Sequence, residues 1–85
     1  MYACPICGYV GLYEPWPRDE ICECCGFQFD YTDLVLGYSC EDWRKKWVAE
    51  GMNFKWGPPP PNWDPVEQLK AAARNGSLKT KYEQE

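Results

Sequence analysis

Cys4-Pro5-Ile6-Cys7-Gly8 is answered, fourteen residues later, by Cys22-Glu23-Cys24-Cys25-Gly26. A Cys-x-x-Cys turn brings two sulfurs to one side of a tight loop, and the glycine after it supplies a residue free to adopt a left-handed backbone. Two such turns facing each other make a tetrahedral cage of four thiolates with metal–sulfur bonds of about 2.3 Å, the geometry of structural zinc. The gap is slightly below the usual spacing of about 15–20 residues for paired units, as suits a short ribbon. There is no histidine in the chain, so thiolates must supply the site. The expected ligands are Cys4, Cys7, Cys22 and Cys25. The expected metal is Zn2+, with Fe as the rival.

The other two cysteines read differently. Using Cys24 instead of Cys25 would break the Cys-x-x-Cys-Gly pattern, so Cys24 is expected to be a non-ligand thiol. Cys40 reads as a small buried hydrophobe, against the alternative of a thiol made reactive by a helix N-terminus. A cysteine nucleophile needs a base, usually histidine, and a four-sulfur cage leaves no open position on its metal. No catalytic residues are assigned, and a non-enzymatic protein is expected.

Around the cysteines, Glu14-Pro15-Trp16-Pro17-Arg18-Asp19 reads as a turn, since its prolines withhold ladder donors. Tyr9, Val10, Leu12 and Tyr13 before it, and Ile21 after it, are expected to form hairpin arms. Phe27, Phe29 and Tyr31 alternate with polar residues, the period of a strand. Ser39 is a helix cap and Gly51 a stop. Between them Cys40, Trp43, Trp47 and Val48 form the apolar stripe, leaving Arg44, Lys45, Lys46 and Glu50 to solvent. Phe54 to Pro61 reads as an extended polyproline connector. It and the flanking Trp63 are expected to wrap the core, laying Trp56 and Trp63 over it, with peptide recognition as the alternative. Asp64, Pro65 and Glu67 open a second helix, with Val66, Leu69, Ala72 and Ala73 inward and Asn75-Gly76 as its end.

The resulting expectation is a small, metal-stapled α+β domain: a zinc ribbon of short antiparallel strands followed by two α-helices. It is one domain over 1–85, with the ribbon at 1–36, the helical part at 37–76 and a polar, frayed tail at 77–85. Of the 85 residues, 45% are hydrophobic and 16% aromatic, which excludes a disordered chain. A chain this short still buries too little surface to be comfortable without a staple. It contains no run of 18 apolar residues, so no membrane span is expected. The start at Met1 lacks the basic and apolar regions of an export signal, which points to the cytoplasm, where grouped cysteines hold metal.

Charge is segregated. Residues 1–42 hold eight acids and one base, Arg18, whereas residues 43–85 hold five acids and eight bases. The formal net charge of −4 is a poor start for nucleic acid, whose affinity comes from neutralised phosphates; a zinc ribbon associated with nucleic acid through its basic second half, with salt-sensitive binding, is the alternative. Arg44-Lys45-Lys46 reads as a solvated helix face. The acidic half suits a basic protein partner, and Tyr13, Trp16, Asp19, Glu20 and Glu23 are the candidate partner face, aromatic anchors among charges.

Three stretches carry a family likeness: Tyr2-Ala3-Cys4-Pro5-Ile6-Cys7-Gly8-Tyr9, Glu20-Ile21-Cys22-Glu23-Cys24-Cys25-Gly26-Phe27, and Trp63-Asp64-Pro65-Val66-Glu67-Gln68-Leu69. In these the sequence resembles the small bacterial cysteine-rich CPCC-type family, departing from it at Ile6, where the family name implies a third cysteine. The resemblance implies a zinc ribbon and, for some members, a role as immunity partner of a bacterial toxin. The paired units are also similar to the knuckles of rubredoxin, which implies iron and one-electron transfer. Here the knuckles lie much closer together, and the helical second half has no counterpart there.

Overall fold

Each Cys-x-x-Cys-Gly turn closes its own small hairpin in the computed structural model, which describes residues 1–79. Cys4 N–H donates to Tyr9 O at 2.8 Å and Gly8 N–H to Cys4 O at 2.8 Å. The second unit repeats the pattern, Cys22 N–H to Phe27 O at 2.9 Å and Gly26 N–H to Cys22 O at 2.8 Å. Strand β1 (Tyr2–Ala3) runs into the first turn and β2 (Val10–Leu12) leaves it, paired antiparallel with Tyr2 opposite Leu12 and Ala3 opposite Val10. The Ile21–Gln28 bridge flanks the second turn in the equivalent place. The hairpin arms expected across the Glu14–Asp19 turn therefore pair elsewhere: β2 folds back on β1, and Ile21 pairs forward. A turn that already crosses itself with two backbone bonds is a better hairpin seed than one studded with prolines.

The strand expected over Phe27, Phe29 and Tyr31 stops early. Phe27 and Phe29 are fully buried, but Asp30 takes a left-handed backbone (φ 68°), and the chain then turns repeatedly through residue 36. Tyr31 is left exposed.

Helix α1 (Cys40–Ala49) starts where Ser39 accepts a hydrogen bond from Asp42 N–H at 3.0 Å. Cys40 and Trp47 are buried and Trp43 is half-buried, but Val48 at the end of the expected stripe is exposed. Helix α2 (Pro65–Arg74) is capped by Asp64, which accepts from Val66 N–H and Glu67 N–H. Its inward face is only in part the one expected. Ala72 is buried, whereas Val66 and Ala73 are exposed and Leu69 is half-buried. The face that meets the ribbon carries the polar Gln68, whose hydrogen bonds on that side replace the missing apolar burial.

The core is a cluster of cysteine sulfurs and rings. Phe27 and Phe29 pack edge to face at 5.1 Å, with Trp43 edge-on to Phe27 at 6.2 Å. Phe54 bridges Tyr9 and Trp63, each at 5.3 Å. The connector thus wraps the ribbon through Phe54 and Trp63, while Trp56 stays outside, 59% exposed. Its backbone zips onto the second knuckle, Lys55 N–H to Cys24 O and Trp56 N–H to Glu23 O, both at 3.0 Å. Of the tail expected to fray, Ser77 bonds Ala72 O and Lys79 bonds Pro5 O, both at 2.9 Å; the rest of it, 80–85, lies outside the described residues. Among the described residues no helix is long and apolar enough to cross a membrane.

Candidate metal centre

The near-symmetry of the two hairpins sets four sulfurs face to face. The Sγ atoms of Cys4, Cys7, Cys22 and Cys25 all lie within 4.8 Å of one another, and all four residues are buried. Cys4 and Cys25 sulfurs are 3.9 Å apart, and Cys7 and Cys22 sulfurs 3.7 Å. Those separations are far beyond a disulfide bond of about 2.05 Å. A tetrahedron with metal–sulfur bonds of about 2.3 Å has edges of about 3.8 Å. The donor set and its spacing therefore fit a tetrahedral thiolate-bound metal ion.

The protonation chemistry points the same way. Burial pushes the thiols of Cys7 and Cys25 up, and hydrogen bonds from Cys25, Cys4 and Cys7 hold Cys22 well below the ordinary thiol value. Four sulfurs this close share protons, and a cation is what makes all of them thiolates at once.

Cys24 sits beside this group and outside it. Gln68 Nε2 donates to Cys24 Sγ at 3.5 Å and to Cys7 O at 3.0 Å, while Gln68 Oε1 accepts from Trp63 Nε1 at 2.8 Å. One α2 side chain thereby ties the connector and both knuckles together. A Cys24→Ser variant is expected to keep its metal and lose about 1 kcal/mol, since its hydrogen bonds with the Cys7 sulfur and Gln68 are weakened and no ligand is lost. Elemental analysis of the purified variant checks this, and loss of the metal would show Cys24 to be a ligand.

Arg44 was expected in solvent and is instead a clamp. It is half-buried, with Nε donating to Ile6 O at 2.5 Å and Nη2 to Pro5 O at 2.8 Å and to Lys79 O at 2.5 Å. Helix α1 is thus anchored to the backbone of the first knuckle through five-donor guanidinium chemistry that a lysine would not reproduce. Spacing alone carries no signal for this, because the acceptors are carbonyls 38 and 39 residues upstream and 35 residues downstream. Lys45 and Lys46 are paired with Glu41 and Glu50 along the helix, so the basic triplet offers little free charge to phosphates.

Cys40 is fully buried, and desolvation raises its pKa from 9.0 to about 11. It is a packed neutral thiol, not an activated one. A folded pKa above the unfolded one stabilises the protein fully below about pH 9, and this contribution is lost as the pH rises through about 11. The expected loss over that window is about 2 kcal/mol. Urea unfolding at stepped pH checks it: the Cys40→Ala variant should show a shallower decline than the parent.

The candidate partner residues are placed unevenly. Tyr13, Asp19, Glu20 and Glu23 are exposed. Tyr13 and Glu20 line two adjoining hollows of about 80 and 280 Å3, and Glu23 lines the smaller one. Trp16 is not an exposed anchor. Its ring stands edge-on to Phe29 at 4.7 Å and to Phe27 at 5.9 Å, and its Nε1 donates to Asp30 Oδ1 at 3.0 Å.

Comparison with known proteins finds relatives without an assigned role. The chain is 37% identical over 71 residues to the uncharacterized protein YoaQ of Bacillus subtilis (strain 168), a match covering 60% of each chain. It is 39% identical over 49 residues to the uncharacterized protein YozI of the same organism, covering 45% of this chain and 40% of that one. The chain thus spans only 60% and 40% of the lengths of these two relatives. No family model and no solved structure matches it. The likeness to CPCC-type proteins accordingly rests on the cysteine units, and what the fold and cluster establish is a small cysteine-rich, zinc-ribbon-like α+β domain with a metal-binding arrangement of four cysteines.

Proposed function

We propose that this is a non-enzymatic, cytoplasmic zinc protein that works by protein–protein contact, its acidic face docking on a basic partner such as a bacterial toxin that it holds inactive. The observation that carries the zinc reading is the set of four buried sulfurs at tetrahedral spacing, with no fifth donor in the group among the described residues. Zinc in such a cage is a structural staple, and it frees the surface to specialise in recognition.

Support for the docking face comes from the adjoining hollows that bring together Tyr13, Glu20 and Glu23. An aromatic ring beside two carboxylates accepts the stem and head of a lysine or arginine, and the surrounding negative potential speeds encounter with a basic protein. Metal analysis tests the first part: about one zinc per chain is expected, and a red protein with iron–thiolate absorption would turn the reading toward electron transfer. The second part is tested by low-salt co-purification from a bacterial lysate, using the parent and a Glu20→Lys/Glu23→Lys variant as baits. A basic protein retained by the parent and lost with the variant is expected, at unchanged zinc content. Equal capture by both baits would move the interface to the helices and the Trp56–Trp63 segment.

A further inference from the structure

The turn between the ribbon and helix α1 has its polarity reversed. Leu34, Val35 and Leu36 are 65%, 65% and 51% exposed, in a row, with Tyr31 exposed beside them. In the same turn both carboxylate oxygens of Asp33 are buried, with no hydrogen-bond partner among the described residues. The backbone holds this arrangement firmly. Val35 N–H donates to Tyr31 O at 2.8 Å, Gly37 N–H to Asp33 O at 3.1 Å and Tyr38 N–H to Thr32 O at 3.1 Å. Thr32 Oγ1 accepts from Gln28 N–H at 3.0 Å. A fold that hides a carboxylate and displays three adjacent aliphatics violates the ordinary sorting rule twice in one turn, as interaction sites do.

A matching hollow lies in the helical half. Val48, Met52, Val66, Leu69, Lys70 and Ala73 line a groove of about 250 Å3 between the end of α1 and α2. It is the face left unpartnered when α2 turned Gln68 and Ala72 inward. An apolar cavity of about 150 Å3 takes a benzene-sized group, so this groove has room for about two aliphatic side chains. The protrusion cannot enter the groove of its own chain: it ends before Cys40, and Val48 stands about 12 Å further along α1 at a helical rise of about 1.5 Å per residue.

We propose that the occupant of this groove is the Leu34-Val35-Leu36 turn of a second copy of the chain. Charge favours that choice over a different apolar partner. The protrusion belongs to the half with eight acids and one base, and the groove to the half with eight bases and five acids; Lys70 on its wall is paired with Glu67 at 3.8 Å, so the excess positive charge on α2 is that of Arg74 in its last turn. The contact is head to tail, unlike surfaces meeting, and small enough to be weak and concentration-dependent.

Sedimentation of the metal-loaded protein from about 10 µM to about 1 mM reads it, and the average mass is expected to rise with concentration. Leu34→Glu/Val35→Glu and, separately, Val66→Glu/Ala73→Glu should each weaken association at least about tenfold, and since all four positions are exposed, metal content and helicity should hold. Mixing the two variants is the decisive step, because one intact protrusion then meets one intact groove. A mixed dimer, formed where neither variant associates alone, is the expected result. A parent monomeric throughout, a single variant that associates like the parent, or a mixture that stays monomeric would each overturn the proposal. None of these outcomes depends on the acidic face, so this inference and the docking reading fail separately.

Discussion

Stripping the metal with a strong chelator, or replacing Cys22 or Cys4 by serine, is expected to unfold the protein at room temperature. The reason is how little regular pairing each hairpin has of its own. β1 and β2 together are five residues long, and the second hairpin has a single bridge. Among the described residues the largest fully buried side chains are Ile6, Phe27, Phe29, Trp47 and the six cysteines. A structural zinc in a small thiolate site contributes apparent binding free energy of about 10–16 kcal/mol, while a whole domain is stable by only about 5–15 kcal/mol. Losing the first exceeds what the second can absorb. Circular dichroism before and after chelation checks the expectation, with refolding on adding zinc back. A chelated, metal-free protein with an unchanged melting temperature would rule the staple out. Acid should act as a mild chelator, because protons compete for thiolates.

The cysteine cage was legible because its chemistry is local: four ligands in two short turns, each turn closed within six residues. Both helices were legible for the same reason, since Ser39 and Asp64 announce them by cap chemistry that needs no tertiary partner. What spacing did not carry were the long-range choices. Arg44 looks like any solvent-facing helix cation until the backbone of Pro5 and Ile6 lies opposite it. The apolar residues of α2 suggest a buried Val66–Leu69–Ala72–Ala73 face, of which only Ala72 is buried, because the ribbon presents a backbone carbonyl and a thiol at that level. A polar Gln68 satisfies those groups, and a leucine would leave them unpaired. The helix therefore rotates its polar residue inward and its valine outward.

That rotation depends on one small residue, which the second largest expected effect concerns. Gly8→Ala should destabilise the protein by about 2–5 kcal/mol, and Gly26→Ala, at the equivalent place in the other hairpin, by only about 1–2 kcal/mol. Both glycines have left-handed backbones, φ 87° and 80°, so an added methyl costs about 1–2 kcal/mol at either. They differ in what the methyl meets. At Gly26 it would lie 3.2 Å from Lys55 Cγ, in a flexible side chain that can move aside. At Gly8 it would lie 2.6 Å from Ala72 Cβ and 3.2 Å from Gln68 O, on the rigid helix α2. Contacts that short force α2 off the first knuckle, adding about 1–3 kcal/mol of overpacking and loosening the Gln68 bonds to Cys7 and Cys24. Ala72→Gly should relieve the clash at a helix-propensity cost of about 1 kcal/mol, so the Gly8→Ala/Ala72→Gly double variant should be more stable than the two single losses added together. Thermal melts of the four metal-loaded variants measure all of this. If Gly8→Ala proved no worse than Gly26→Ala, helix α2 would not be seated on the knuckle, and the groove it leaves open beside α1 would not be where the fold places it.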